Sequence, residues 1–297
     1  MLRRCLERIR CQTPAPRKVI IFDNGSSDGS AVEARQEFSE FEFVMNMANV
    51  GFARANNLGA QLCEGCEWLL LVNPDAFPEP DCLAKLLAAA EANPAFAVFA
   101  PLIVTERDTG VIDSAGDDYL KSGIGRHRLQ GRPRNAAASP CEVFSASAAA
   151  ALYRRDAFVA VGGFDESLFA YYEDVDLGVR LRLAGYRTLY VPDAVVHHVS
   201  GGVTGGEWNR NSLYYGQRNF ILVYFSNMPW PLFWRGLPFH VWAVLRGLAK
   251  ACMQGHGRLV ARATWDACMG VPPRVMERWR GKGPGREAAA GLKALMS

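Results

Sequence analysis

Short apolar runs alternate with polar, helix-periodic stretches through the first hundred residues. Val19–Phe22 is a brief apolar run that stops at Asp-Asn-Gly, the chemistry of a tight turn. "FEFVMN", "EWLLLV" and "FAVFAPLIV" read as further strands. Between them, "NVGFARANNLGAQL" resembles a loop running into a helix. "PDCLAKLLAAAEANP" reads as a helix that starts on Pro and ends on Asn-Pro. Ahead of all these, Leu2, Leu6 and Ile9 line one side of a basic helix, which a Pro-broken loop ends. Strands alternating with helices predict an α/β fold: a parallel sheet with helices on both faces. Residues 106–140 depart from the alternation. They are polar and rich in Gly and Arg, and read either as a mobile loop over a site or as an exposed connection. "CEVFSASAAAALYRRDAFVAVGG" resumes with a strand and a helix. Leu177, Leu181 and Ala184 then mark an amphipathic helix that Gly185 stops. "RTLYVPDAVVHHV" is the next strand. Beyond Gly206 the chain turns helical, aromatic and basic.

Composition changes this picture in two places. The 297 residues carry a net charge of only +3, which argues against a nucleic-acid partner. That charge is uneven: from Pro229 to the end there are 11 Lys and Arg against 3 Asp and Glu, and before it 22 against 27. Five of the seven tryptophans lie in the same basic tail. A basic aromatic helix there is expected either to pack on the rest of the protein or to lie on an anionic membrane surface. The eight cysteines are irregularly spaced, without a signal peptide ahead of them, and read as reduced thiols in a cytoplasmic setting. No charge-free run of about 18 apolar residues predicts a spanning helix.

Candidate chemistry collects where strands end. Ligands of open parallel sheets bind beyond the strands' carboxyl ends. Asp23 and Asp28 flank the turn after the first strand present, and Asp75 follows the third in "VNPDA". Each reads as turn chemistry or as a ligand for a divalent ion, since Mg2+ and Mn2+ favour carboxylate oxygens. His197 and His198 close the last strand. They read as hydrogen-bonded core imidazoles or as the nitrogen donor of a metal site. Glu173, Asp174 and Asp176 occupy the first turn of the amphipathic helix. There the helix dipole stabilises negative charge, so they either cap the helix or supply an ionised general base.

"VIIFDNGSSDGS", "NVGFARANNLGA", "LLLVNPDAFPEPD", "VGGFDESLFAYYEDVDLGVRLRLAGYR" and "VVHHVSGG" occur in an order and spacing that resemble the inverting family 2 glycosyltransferases. The nearest branch is similar to rhamnosyltransferase-like enzymes of bacterial surface-polysaccharide synthesis. The resemblance covers about residues 2–225 and implies a GT-A domain there, with 226–297 as an amphipathic, membrane-associating helical segment. It implies a nucleotide-diphosphate sugar donor, rhamnose among the candidates, a Mg2+ or Mn2+ ion, and a glycan or lipid-linked glycan acceptor. By the same resemblance Asp23, Asn49, Arg54 and Asn57 line the nucleotide pocket, and Arg218 lies near the diphosphate. Asn73 and Asp75 match the family's metal motif. Asp174 matches its catalytic base, with Glu173 beside it, and His197 its metal-binding histidine, with His198 as alternate. Family members begin with a strand ahead of the first helix that is not in this chain. A non-catalytic nucleotide-sugar-binding protein and a metal-dependent nucleotidyltransferase are the competing readings.

Overall fold

The computed structural model describes residues 1–199, 209–280 and 286–296. Helix α1 (Leu2–Arg10) buries Cys5 and Leu6, on the apolar side its periodicity predicts. Strands β1 (Ile20–Asp23) and β2 (Glu42–Met45) pair in parallel, with α2 (Ser30–Glu37) crossing between them. Helix α3 (Phe52–Leu62) leads to β3 (Trp68–Val72), and a turn through Asp75 leads on to β4 (Ala76–Pro78). Helix α4 (Cys82–Ala92) and β5 (Val98–Thr105) follow.

A seven-stranded sheet is built in the order β3, β10 (Ala150–Arg154), β5, β11 (Thr188–His198), β4. Strands β6 (Ile112–Ser114) and β9 (Cys141–Val143) join β5 and β11 at its margins. The pairings set β3, β5 and β11 running one way, with β10 reversed between β3 and β5. The reversal is possible because β10 is entered from an irregular segment and needs no crossover helix. β1 and β2 form a sheet of their own, and β3 is the edge of the larger one.

Both faces of the large sheet are covered. Val98, Ala100, Leu102 and Val104 of β5 join one apolar cluster, while Phe99 and Ile103 join the cluster under α4. This is the two-residue period of a strand buried on both faces.

Residues 106–140 are more ordered than a loop. They contain β6 and a hairpin of β7 (Asp117–Tyr119) and β8 (Gly125–His127), bonded in antiparallel register. Helix α5 (Arg155–Ala160) follows β10, and α6 (Glu173–Leu183) follows a short turn. The C-terminal helices are α7 (Arg210–Asn227), α8 (Trp230–Met253), α9 (Gly257–Arg280) and α10 (Arg286–Ala294). α7 runs through the expected boundary at 225. α9 lies along α7, and α10 lies against α6. Among the described residues no helix is long and apolar enough to cross a membrane. All eight cysteines are free.

Candidate active site

The co-directional strands β3, β5 and β11 end at one edge, and the carboxylates gather there. Asp75, in the turn after β3, is buried. His198, the last residue of β11, stands in register with Ala76, the neighbour of Asp75. Its Nε2 lies 3.5 Å from Asp75 Oδ1, and its Nδ1 lies 2.7 Å from Asp113 Oδ2 on β6. The backbone N–H of Val199 donates to the Asp75 carbonyl at 3.0 Å and locks the two segments together. Burial lowers the proton affinity of the His198 ring, but the bonds to Asp113 and Asp75 outweigh it and raise its pKa to about 9. Asp113 holds Nδ1, and that orients Nε2 toward Asp75, as carboxylates commonly do for metal-binding imidazoles.

His197 does not share this position. Its ring meets Glu79 Oε1 at 3.3 Å and Glu106 Oε2 at 3.6 Å. Successive side chains of a strand point to opposite faces, so adjacent histidines do not both reach Asp75. Of the two expected histidines, it is the alternate, His198, that lies beside Asp75. One carboxylate and one imidazole are donors that Mn2+ or Mg2+ accepts, with diphosphate and water completing the shell. Among the described residues no group of three or more His, Cys, Asp or Glu is arranged to hold a metal unaided.

Asp174 reaches the same edge through the backbone. Its Oδ2 accepts the N–H of Ala148 at 3.2 Å, and its Oδ1 accepts the N–H of Val175 at 2.8 Å. Ala148 lies two residues before Ala150, which pairs with Val72 at the end of β3. Asn73, next in the chain, donates its N–H to the carbonyl of Ala149. Burial raises the Asp174 pKa most, and the charge of Asp117 adds to this; the charge of His127 and the two backbone N–H groups oppose it. Glu173 is buried, and burial followed by the Asp174 charge pushes its pKa up to about 8. It therefore carries a proton at neutral pH. Asp176 serves the packing of the helix, where its carboxylate meets Arg180 Nη2 at 2.6 Å and accepts from Asn227 Nδ2 at 2.6 Å. Thus the three carboxylates of the first turn do three different things.

The segment before α6 is unusual. Phe169, Tyr171 and Tyr172 have φ of 68°, 66° and 67°. Left-handed backbone costs a non-glycine residue roughly 1–2 kcal/mol, so the segment needs support. Asn219 of α7, fully buried, gives it: Nδ2 donates to the carbonyls of Leu168, Ala170 and Tyr171 at 2.9, 2.9 and 2.7 Å. Gly51 packs below, where a Cβ would come within 2.6 Å of the Phe169 ring.

The residues expected to line a nucleotide pocket occupy the β1 side. Asp23 ends β1, is buried, and accepts from the Ser26 N–H at 3.2 Å. Asn49 Oδ1 accepts from Gly51 N–H at 2.9 Å and from Asn24 Nδ2 at 3.0 Å. Arg54 is 3.8 Å from Glu166. Asn57 is committed to Phe164, bonding its N–H at 2.8 Å and its carbonyl at 2.9 Å. It therefore fastens α3 to the segment leading toward α6. Arg218 donates to the Ser167 carbonyl. Asp28 binds Ser30 locally, as turn chemistry predicts.

Asp113, Asp117 and His127 carry no pattern that marks them in the sequence. They lie in 106–140, where strands of three residues are too short for a two-residue period to stand out. Asn219 is marked beside Arg218 by the family resemblance, but its bonds to 168–171 are not.

These elements define a GT-A nucleotide-sugar transferase architecture: a twisted α/β sheet with carboxylates and an imidazole at the strand ends. GalNAc-T7, solved with UDP, GalNAc and Mn2+, shares the fold with a TM-score of 0.57 at 16% identity, over 72% of this chain and 42% of that one. A mannosyltransferase from Pyrobaculum calidifontis, solved with GDP-Man and Mn2+, gives 0.54 at 18% identity over 99% and 81%. The family model for Glycosyl transferase family 2 matches residues 1–162. The chain is 33% identical over 258 residues to an N-acetylglucosaminyl-diphospho-decaprenol L-rhamnosyltransferase of Mycobacterium tuberculosis, covering 78% of this chain and 84% of that one. It is 26% identical over 190 residues to rhamnosyltransferase WbbL of Escherichia coli, covering 59% and 70%. The chain belongs to glycosyl transferase family 2 and is a glycosyltransferase.

Proposed function

We propose that this glycosyltransferase moves a sugar, rhamnose in the first instance, from a nucleoside diphosphate to a hydroxyl of a lipid-linked diphospho-sugar, with inversion at the anomeric carbon. The observation that carries this is the anchoring of Asp174: a half-buried carboxylate fixed by two backbone N–H groups beside the strand end that bears Asp75. The names of the two rhamnosyltransferase relatives support the donor sugar, and the mycobacterial one supports the acceptor.

Asp174 takes the proton of the acceptor hydroxyl. The hydroxyl oxygen forms a bond to the anomeric carbon as the bond from that carbon to the diphosphate breaks on the opposite face. The electron pair leaves with the diphosphate. A single displacement needs no second carboxylate nucleophile, and Glu173, which is protonated, is not one. The Asp75 and His198 pair would hold the divalent ion, which when bound offsets charge on the departing diphosphate. Burial lifts the Asp174 pKa, and a carboxylate with a raised pKa is a stronger base when ionised.

The outward face of α8 supports a membrane-bound acceptor. Trp234, Phe239, Trp242 and Leu245 are exposed along it. Arg235, Arg246 and Lys250 interleave with them, and α8 contains no acidic residue. Such a face suits the headgroup region of an anionic bilayer, and supports the reading of a peripheral enzyme on the cytoplasmic side.

The test is a panel of nucleotide sugars offered with a polyprenyl-diphospho-N-acetylglucosamine acceptor. Transfer from deoxythymidine-diphosphate rhamnose, with inverted product stereochemistry, is expected. In Asp174→Asn transfer should fall by at least a thousandfold, with donor affinity within about threefold. Wild-type-like turnover by that variant would remove the assigned base.

A further inference from the structure

The β7–β8 hairpin lies directly against the first turn of α6. A Cβ on Gly125 would come within 2.5 Å of Val175 Cγ2, so the hairpin touches the residue next to Asp174. Asp117 and His127 face each other in the hairpin register, with Nδ1 2.8 Å from Asp117 Oδ1. Asp117 is buried, and its Oδ2 accepts from Ser145 Oγ at 3.2 Å. The backbone ties the hairpin in as well: Asp117 N–H donates to the Ser145 carbonyl at 3.0 Å. Ser145 lies on the strand-to-strand segment that also carries Ala148, the backbone donor to Asp174. An ion pair between buried Asp117 and His127, whose side chain is 36% exposed, is thus built in beside the Asp174 turn, in a part of the chain with no assigned role.

We infer that His127, oriented by Asp117, is a positioning residue for the base: its imidazolium balances the Asp117 charge beside Asp174 and keeps that carboxylate able to accept the acceptor's proton. This rests on Asp174 being the base. Burial disfavours the charged His127 ring, but the bond to Asp117 and its charge outweigh this and raise its pKa to about 9. The ring is therefore charged at neutral pH and keeps its proton through the reaction.

The groups acting around Asp174 come from several elements. Asp117 on β7 raises its pKa, and His127 on β8 lowers it. Glu173 on α6 is neutral, and Asp176 is matched by Arg180. Tyr153 of β10 and Tyr172, just before α6, are phenols that the Asp174 charge pushes further up. Asp113 of β6 acts on His127 from the far side. His127 is the cation that offsets Asp117. Without it Asp174 faces an unbalanced negative charge.

The sign of the effect follows. In His127→Gln the Asp174 pKa rises, so the acid limb of the kcat/KM profile moves up by about one pH unit, with activity recovered at alkaline pH. In His127→Lys, which keeps the charge, the limb stays near the wild-type position. Adding Asp117→Asn to His127→Gln removes both charges and returns the limb to within a few tenths of a unit. A merely structural role predicts loss at every pH in all three. An unshifted limb in His127→Gln, or an equal shift in His127→Lys, overturns the inference. A second measurement needs no variant: ring-proton titration of His127 in the intact protein should show deprotonation near pH 9, and deprotonation below about pH 7 overturns the inference. Asp174→Asn is measured alongside. If it stays active, the base assignment fails; if it is silent while the His127 limb does not move, only the role of His127 fails.

Discussion

His197 and His198 differ by one position, and the strand pleat sends them to different partners. One ring sits between Asp75 and Asp113, the other between Glu79 and Glu106. Their substitutions should therefore separate. His198→Ala is expected to weaken Mn2+-supported donor binding by tenfold or more, read by titration calorimetry with and without the ion. His197→Ala should stay within about twofold. The reverse ranking would place the ion on the other face of β11. At this scale the positions of Asp75 and Asp174 were legible, though not their roles, because a carboxylate after an apolar run or in a first helical turn is a local feature. The choice between two adjacent histidines was not, because it depends on where β4 and β6 lie.

At the level of elements, the base helix α6 is aimed from outside itself. Its N-cap, Tyr172, has φ 67° and supplies no side-chain cap. The three left-handed residues before it are held by one amide, Asn219 on α7. Removing that amide takes a donor from the carbonyls of Leu168, Ala170 and Tyr171, of which Leu168 keeps the Ala170 N–H. Asn219→Ala is expected to cost about 1–3 kcal/mol in urea unfolding. It should also lower kcat by more than it raises KM, since the base moves while the donor pocket on the β1 side does not. A variant with unchanged kcat and a normal midpoint would show that α6 holds its own position. Asn219 stands beside Arg218 in the segment the family resemblance places near the diphosphate, but nothing local marks its bonds to 168–171. Its partners are about fifty residues away, so no periodicity announces the contact.

In the whole molecule, the C-terminal helices join the catalytic cluster to the outer surface. Inward, His240 of α8 bonds the Ser122 carbonyl at the hairpin tip at 2.7 Å and stacks on Tyr224. Outward, α8 exposes tryptophans and basic residues at helical spacing. The sequence left packing and membrane contact as alternatives; α8 packs one face inward and leaves the other exposed. Vesicles of phosphatidylglycerol are expected to float the full chain, and neutral vesicles to recover much less. Trp234→Ser with Trp242→Ser should reduce flotation severalfold without changing the melting temperature, because both side chains are exposed. Equal flotation by variant and wild type would remove the membrane assignment.

The sequence alone determined the alternation of strands and helices, the carboxylates at the strand ends, and the family. These signals are local: runs, turn residues and short motifs whose meaning survives without neighbours. The tertiary structure decided the rest. It reversed β10 within the sheet, ordered 106–140 into a hairpin against α6, and set His198 rather than His197 against Asp75. It also gave Asp113, Asp117 and Asn219 their partners. Each of those outcomes is a contact between residues distant in the chain, and such contacts exist only once the sheet has brought the segments together.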